Sequence, residues 1–180
     1  LSCLINIENY KEAEKIAVKI SKKYPKSLNY QVDLGFLQKK NRKQKKAKKT
    51  YQSAIENCSK QTGQVISLGN AFILRKEYDL ALETYQKAKA VNPTYPYDLQ
   101  VANVYKQMGD NENMVSSYLL LIKNHPNQKQ SVKNSLQIFL NNDGIESTKN
   151  YNILKKQLLK FVQKTGYCPT NGYRSWGWQC

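Results

Sequence analysis

The sequence predicts an all-α chain built as a solenoid of antiparallel helix pairs. Three observations predict it. Residues recur at a fixed spacing of 34. The recurring residues are a small residue and an aromatic at helical spacing. Helix-breaking residues are scarce, with 8 Gly and 5 Pro in 180 residues. Apolar residues make up 40% of the chain, enough for a packed core and more than a disordered chain carries. No long uncharged apolar run is present, which removes transmembrane spans.

Leu34-Gly35 recurs as Leu68-Gly69, and Ala47, Tyr51 and Ala54 recur as Ala81, Tyr85 and Ala88, each 34 residues on. Pro93 recurs as Pro126, 33 residues on. A period of this size marks stacked supersecondary units. Gly in mid-helix costs about 1 kcal/mol against Ala. Gly35 and Gly69 therefore predict a close approach of two helices. Ala47 and Ala81 play the same part on the second helix of each pair. Tyr51 and Tyr85, four residues further on, share that face and fill the gap between units. Pro93 and Pro126 stop helices and turn the chain into the next unit.

The pattern Leu-Gly-x-x-aromatic, Ala-x-x-x-aromatic, Pro is fullest in Leu68-Gly69-x-x-Phe72, Ala81-x-x-x-Tyr85, Ala88 and Pro93. It resembles the tetratricopeptide repeat family, and in flavour its bacterial members, some of which are exported to the cell envelope. The resemblance covers residues 1–127 well and 128–164 loosely. It implies a right-handed α-solenoid. The expected units are a partial repeat at 1–27, with its second helix at 9–23, and full repeats at 28–61, 62–94 and 95–127. Their helices are expected at 28–40 and 43–58, 63–75 and 78–90, and 96–108 and 111–124. A degenerate hairpin follows at 128–164, with helices at 128–141 and 146–163 and a turn at Asn141-Asn142-Asp143-Gly144. In the fourth repeat Gly109-Asp110 marks the turn, Tyr105 fills the first helix's aromatic slot, and Met114 stands in the small-residue slot. The family's tryptophan position is absent throughout, and Gln38 stands where an aromatic is usual.

Residues 165–180, TGYCPTNGYRSWGWQC, break the pattern. They are an irregular tail, read as a loop closed by Cys168–Cys180, as sequence foreign to the array, or as an aromatic site in Tyr173, Trp176 and Trp178. The apolar face of the last helix, Leu154, Leu158, Phe161 and Val162, is expected to await a partner. That expectation makes a purely architectural segment of a larger array one functional reading. The chain lacks an initiator Met, and its opening apolar stretch, Leu1–Ile7, has no basic leader. A fragment is expected, with the compartment, cytoplasm or bacterial envelope, left open.

Little here supports catalysis. His125 is the sole His, and it precedes Pro126 at a helix end, where a cation suits the macrodipole. No Ser or Cys has the His arrangement that activates a nucleophile. There is neither a GxGxxG motif nor a P-loop. Cys3, Cys58, Cys168 and Cys180 form no C-x-x-C pair, so zinc and thioredoxin-like readings lack support. Cys3 and Cys58 are expected as buried structural thiols. The carboxylate pairs Glu12 with Glu14 and Asp79 with Glu83 are expected as solvated helix-surface charges. The expectation is a non-enzyme without metal, cofactor or small-molecule substrate.

The resemblance implies a concave groove, lined by the first helix of each repeat, that receives an extended peptide or a partner helix. By register it would carry Val32, Phe36 and Lys39, then Ile66, Asn70 and Ile73, then Leu99, Asn103 and Lys106, with Lys133 and Gln137 from the last unit. Asn70, Asn103 and Gln137 share one slot. An amide both donates and accepts, so it can pair with a peptide backbone. Chaperone-binding members of the family use a Lys and Asn clamp for two carboxylates. Val32 and Phe36 stand in two of its polar slots, so that function is not implied.

Lys plus Arg is 29 and Asp plus Glu is 13, a net charge of +16. Half of it sits in residues 39–49, KKNRKQKKAKK, which hold Lys39, Lys40, Arg42, Lys43, Lys45, Lys46, Lys48 and Lys49 and no acid. Such a patch attracts an acidic protein, nucleic acid or an anionic membrane. No aromatic interleaves it, which disfavours single-strand binding. The favoured function is a protein-interaction scaffold for a protein or peptide, the acidic kind included. The alternative is a basic array for nucleic acid or an anionic surface.

Overall fold

The computed structural model describes residues 2–58, 60–141 and 145–167, without the side chains of Ser2 and residues 145–147. Asn142, Asp143 and Gly144 of the expected turn, and Cys168, Tyr173, Trp176, Trp178 and Cys180 of the tail, lie outside the described residues. The described residues fold into α-helices with one 3-10 turn, Pro126–Gln128, and no strand. The fold is all-α, a run of helix pairs joined by short turns. The chain divides into two compact units, Leu1–Tyr95 and Pro96–Cys180.

The first unit holds α1 (Ser2–Asn6), α2 (Tyr10–Lys23), α3 (Leu28–Lys40), α4 (Gln44–Glu56), α5 (Thr62–Leu74) and α6 (Tyr78–Val91). Each intra-pair turn needs one residue in the left-handed region. Glu8, Arg42 and Lys76 fill it at φ 57°, 60° and 58°, one repeat apart. The residue after each begins the next helix. Asn9 caps α2 by accepting the Glu12 N–H at 3.3 Å. Lys43 and Glu77 occupy the same slot without capping, and their side chains are spent elsewhere.

The close approaches that the glycines predict are present. A Cβ on Gly35 would overlap the edge of the Tyr51 ring, and one on Gly69 the hydroxyl end of the Tyr85 ring. Both rings are buried. Tyr51 also meets Phe72 edge-on at 5.5 Å, which joins one helix pair to the next. Ala13 and Ala17 of α2 pack with Leu37 of α3, which joins the partial repeat to the next pair. Ala13 lies 34 residues before Ala47, so the small-residue slot extends back into the partial repeat.

The second unit holds α7 (Asp98–Met108), α8 (Asn111–Asn124), α9 (Lys129–Leu140) and α10 (Ile145–Thr165). Helix α7 starts two residues later than expected, with Tyr97 as its N-cap, just after Pro96. Gly109, at φ 73°, fills the left-handed slot, and Asp110 caps α8 by accepting the Asn113 N–H at 3.1 Å. Met114 is buried in its expected slot. His125 is the C-cap of α8, its N–H donating to Leu121 O at 2.8 Å.

Helix α8 is the centre of this unit, packed by α7, α9 and α10. That overturns the expectation of an unpartnered last helix. Leu154 and Phe161 are only 4% and 8% exposed and share a core with Val115, Tyr118, Leu119 and Ile122 of α8. Leu158 packs against the same core, and Tyr167 meets Phe161 edge-on at 6.2 Å. The face is covered because α10 folds back onto α8. The Gln157 amide and the Lys156 ammonium both donate to Glu112, at 2.7 and 2.8 Å. The thiols also differ from expectation. Cys3 is exposed on a five-residue helix too short to cover it, and Cys58 is half-buried beyond the end of α4.

Candidate functional site

In the first unit α3 and α5 lie side by side. Three polar links fix their register. The Ser67 hydroxyl donates to Asn29 Oδ1 at 3.2 Å. The Arg75 guanidinium grips Asp33 at 2.6 and 2.8 Å. The Lys39 ammonium donates to both oxygens of Glu77, at 2.8 and 2.9 Å. Glu77 also accepts the Tyr51 hydroxyl at 3.2 Å. Burial, then the Glu77 charge and hydrogen bond, push the Tyr51 phenol far above its ordinary range. The Asp33–Arg75 pair is largely shielded from water and charge-assisted, so it binds more firmly than a surface pair.

Phe36 lies half-buried on this face, with the Arg75 guanidinium 5.0 Å and the Lys40 ammonium 5.6 Å from its ring centroid. Both distances suit cation–π attraction. On α5, Ile66, Asn70 and Ile73 fall at i, i+4 and i+7. The two isoleucines are half-buried, Asn70 is exposed, and Leu74 beside them is 73% exposed. The carbonyl oxygen of Asn70 accepts the hydroxyl of buried Tyr85 at 3.4 Å. Burial raises that phenol to about 12, so it stays a proton donor. The amide nitrogen of Asn70 has no partner among the described residues. Asn70 is therefore part structural buttress and part open donor.

Val32 is corrected. It is 0% exposed, because it packs inside the unit, and it offers nothing to a ligand. In the second unit Leu99 is half-buried, while Asn103, Lys106 and Gln137 are exposed and Lys133 is half-buried. Helices α7 and α9 do not pack side by side as α3 and α5 do; both lean on α8 instead. The amide slot thus recurs on exposed positions, but the two-helix face behind it is formed by α3 and α5.

The basic run divides into two sets. Lys39 is tied to Glu77, Lys43 to Glu14 at 2.9 Å, and Lys40 lies over the rings of Phe36 and Tyr10. Arg42, Lys45, Lys46, Lys48 and Lys49 are exposed and make no ion pair among the described residues. Glu14 departs from the expectation of a solvated charge. Its side chain is 12% exposed and accepts from the Asn41 amide at 2.6 Å as well as from Lys43. Burial alone would raise its pKa. The hydrogen bonds from Lys43 and Asn41, with the charges of Lys43 and Lys46, outweigh burial and hold it below the ordinary value. No group of three or more His, Cys, Asp or Glu among the described residues is placed to hold a metal ion. No described helix is long and apolar enough to cross a membrane.

These units define an all-α helical-repeat protein. Within it, residues 98–127, spanning α7, α8 and the start of the 3-10 turn, match the family model of the tetratricopeptide repeat. The chain is similar to the crystal structure of MamA, with 19% identity over 91% of this chain and 95% of that one, at a TM-score of 0.41. It is similar also to the MamA MSR-1 C2 structure, with 14% identity over 91% and 92%, at 0.40. At that level of superposition neither likeness bears on function. No curated protein matches the chain.

Proposed function

We propose that the chain is a protein-interaction scaffold that takes an extended partner segment along the face shared by α3 and α5. One observation carries the reading. Asn70 is exposed between the half-buried Ile66 and Ile73, and its amide nitrogen has no partner among the described residues. Phe36 adds an apolar surface on the neighbouring helix, held under two cations. A peptide carbonyl would accept from Asn70, and apolar side chains would settle on Phe36 and the isoleucines. The tetratricopeptide match supports an interaction role in general terms. On this reading Asn103, Lys106 and Gln137 are separate contacts in the second unit, with no catalytic step anywhere on the chain.

A peptide library displayed against the full chain tests this. Selected peptides are expected to lose about fivefold in affinity on Asn70→Ala, the worth of one hydrogen bond of about 1 kcal/mol. They should lose more on Phe36→Ala and nothing on Gln86→Ala, an exposed residue of α6. Peptides that bind but ignore both Asn70 and Phe36 would sink the reading. A surface for nucleic acid or an anionic membrane is the second reading, favoured by the five exposed cations of the basic run that make no ion pair among the described residues. Its mark is affinity that collapses as salt rises, through counterion release.

A further inference from the structure

The first unit also contains a cleft of about 710 Å³ between α2 and the turn joining α3 to α4. It shares only Lys40, whose ammonium lies over Phe36, with the α3–α5 groove. Six cations line it: Lys11, Lys15 and Lys19 from α2, Lys40 from the end of α3, and Arg42 and Lys43 from the turn. Glu14 is the one carboxylate lining it, and Lys43 and Asn41 already occupy its oxygens. Lys15 pairs with Glu12 at 3.0 Å outside the lining. Lys11, Lys19 and Arg42 make no ion pair among the described residues, and Lys40 is held by ring faces rather than by an acid.

Lys11, Lys15 and Lys19 stand at i, i+4 and i+8, a spacing at which like charges repel along a helix. Gathering them around one cavity, with turn cations facing them, leaves positive charge that this unit does not neutralise. Between the cations the wall is Val18 and lysine stems, whose methylenes can cover apolar surface while the ammonium groups stay in water. The volume lies in the range of ligand-binding clefts. The lining holds no aromatic on which a base could stack.

We propose that this cleft is a second binding site, which takes an acidic segment of a partner protein. Glutamate or aspartate carboxylates would meet Lys11, Lys19, Lys40 and Arg42, and side-chain methylenes would lie on Val18 and the lysine stems. The site is a separate cleft from the α3–α5 groove, with Lys40 common to both, and the test leaves Lys40 unchanged.

The test is fluorescence anisotropy of a labelled oligoglutamate peptide titrated with the full chain at low and physiological salt. The cleft variant is Lys11→Gln, Lys19→Gln, Arg42→Gln. The control removes equal charge outside the cleft: Lys45→Gln, Lys48→Gln, Lys49→Gln. The cleft variant is expected to bind about tenfold or more weakly, the control within about threefold of wild type on the same scale, and Asn70→Ala as wild type. All must keep wild-type helical circular dichroism; the single variant Lys19→Gln carries the test if the triple variant does not. Three results would overturn the proposal: no binding by the wild type, equal losses in the cleft and control variants, or tighter binding of oligothymidylate that the cleft variant abolishes. The last would make the cleft a nucleic-acid site.

Discussion

Replacing Gly69 by Ala puts one methyl group where the end of a buried ring already sits. The nearest atoms to the added Cβ are Cζ, the hydroxyl oxygen and Cε1 of Tyr85. In an open helix the change would stabilise by about 1 kcal/mol. Here the ring must move, and overpacking of this kind costs about 1–3 kcal/mol. Tyr85 is fully buried and its hydroxyl is held by Asn70, so the ring has no free path outward. We expect the collision to win, with a net loss of up to about 2 kcal/mol. For a chain of this size that lowers Tm by up to roughly 8 °C, read by circular dichroism. Two comparisons isolate the cause. Gly63 opens the same helix with nothing within 4 Å of an added Cβ, so Gly63→Ala should leave Tm unchanged or raise it. Leu at position 85 lacks the distal ring atoms. In a Tyr85→Leu background Gly69→Ala should therefore become neutral or stabilising, a coupling that a double-mutant cycle measures. A rise in Tm for Gly69→Ala in the wild-type chain, or an unchanged loss in the Tyr85→Leu background, would refute the reasoning.

Other expectations follow from single features. Lys76 holds a left-handed φ of 58° that L residues adopt at a cost, so Lys76→Gly should raise stability by up to about 1 kcal/mol and Gly109→Ala should lower it by about as much. Denaturant midpoints moving the other way would contradict this. Glu14 is held below its ordinary pKa, so its contribution is whole above the unfolded value of about 4.3 and is lost as pH falls through the lower folded value. Glu14→Gln should therefore lower Tm at neutral pH, by a margin that shrinks once pH drops below about 4; a margin constant down to pH 3 would count against the Lys43–Glu14–Asn41 network. Exposed Cys3 should be alkylated before Cys58, whose thiol is half-buried and raised by burial. Site-resolved mass spectrometry reads the order, and faster labelling of Cys58 would contradict it.

The helices were legible because their signals are local and repeated. Gly35 with Tyr51 and Gly69 with Tyr85 announce a close approach by residue type alone, and the structure has both. The left-handed turn slot was legible only at Gly109. At Glu8, Arg42 and Lys76 side chains accept the same backbone, so composition hides the rule. The fate of the last helix was not legible. Its apolar face is plain in the sequence, but whether a covering helix comes from this chain depends on α10 folding back onto α8. Glu112, Ser116 and Gln157 fix that return through contacts more than 40 residues apart.

The candidate sites show the same limit most sharply in the basic run. As a string, residues 39–49 are eight equivalent cations. Once folded they are three kinds of residue. Lys39 and Lys43 occupy carboxylates of other helices, at Glu77 and Glu14, and so act as struts. Lys40 is drawn over two rings. Arg42, Lys45, Lys46, Lys48 and Lys49 remain open to solvent. A ligand that reads this region meets fewer charges than the count suggests, and of the open five only Arg42 lines the cleft, whose other wall, Lys11, Lys15 and Lys19, lies more than 20 residues earlier. Affinity for an anion should therefore depend on the α2 lysines, which lie outside the dense run, more than on Lys45, Lys48 and Lys49, which lie within it.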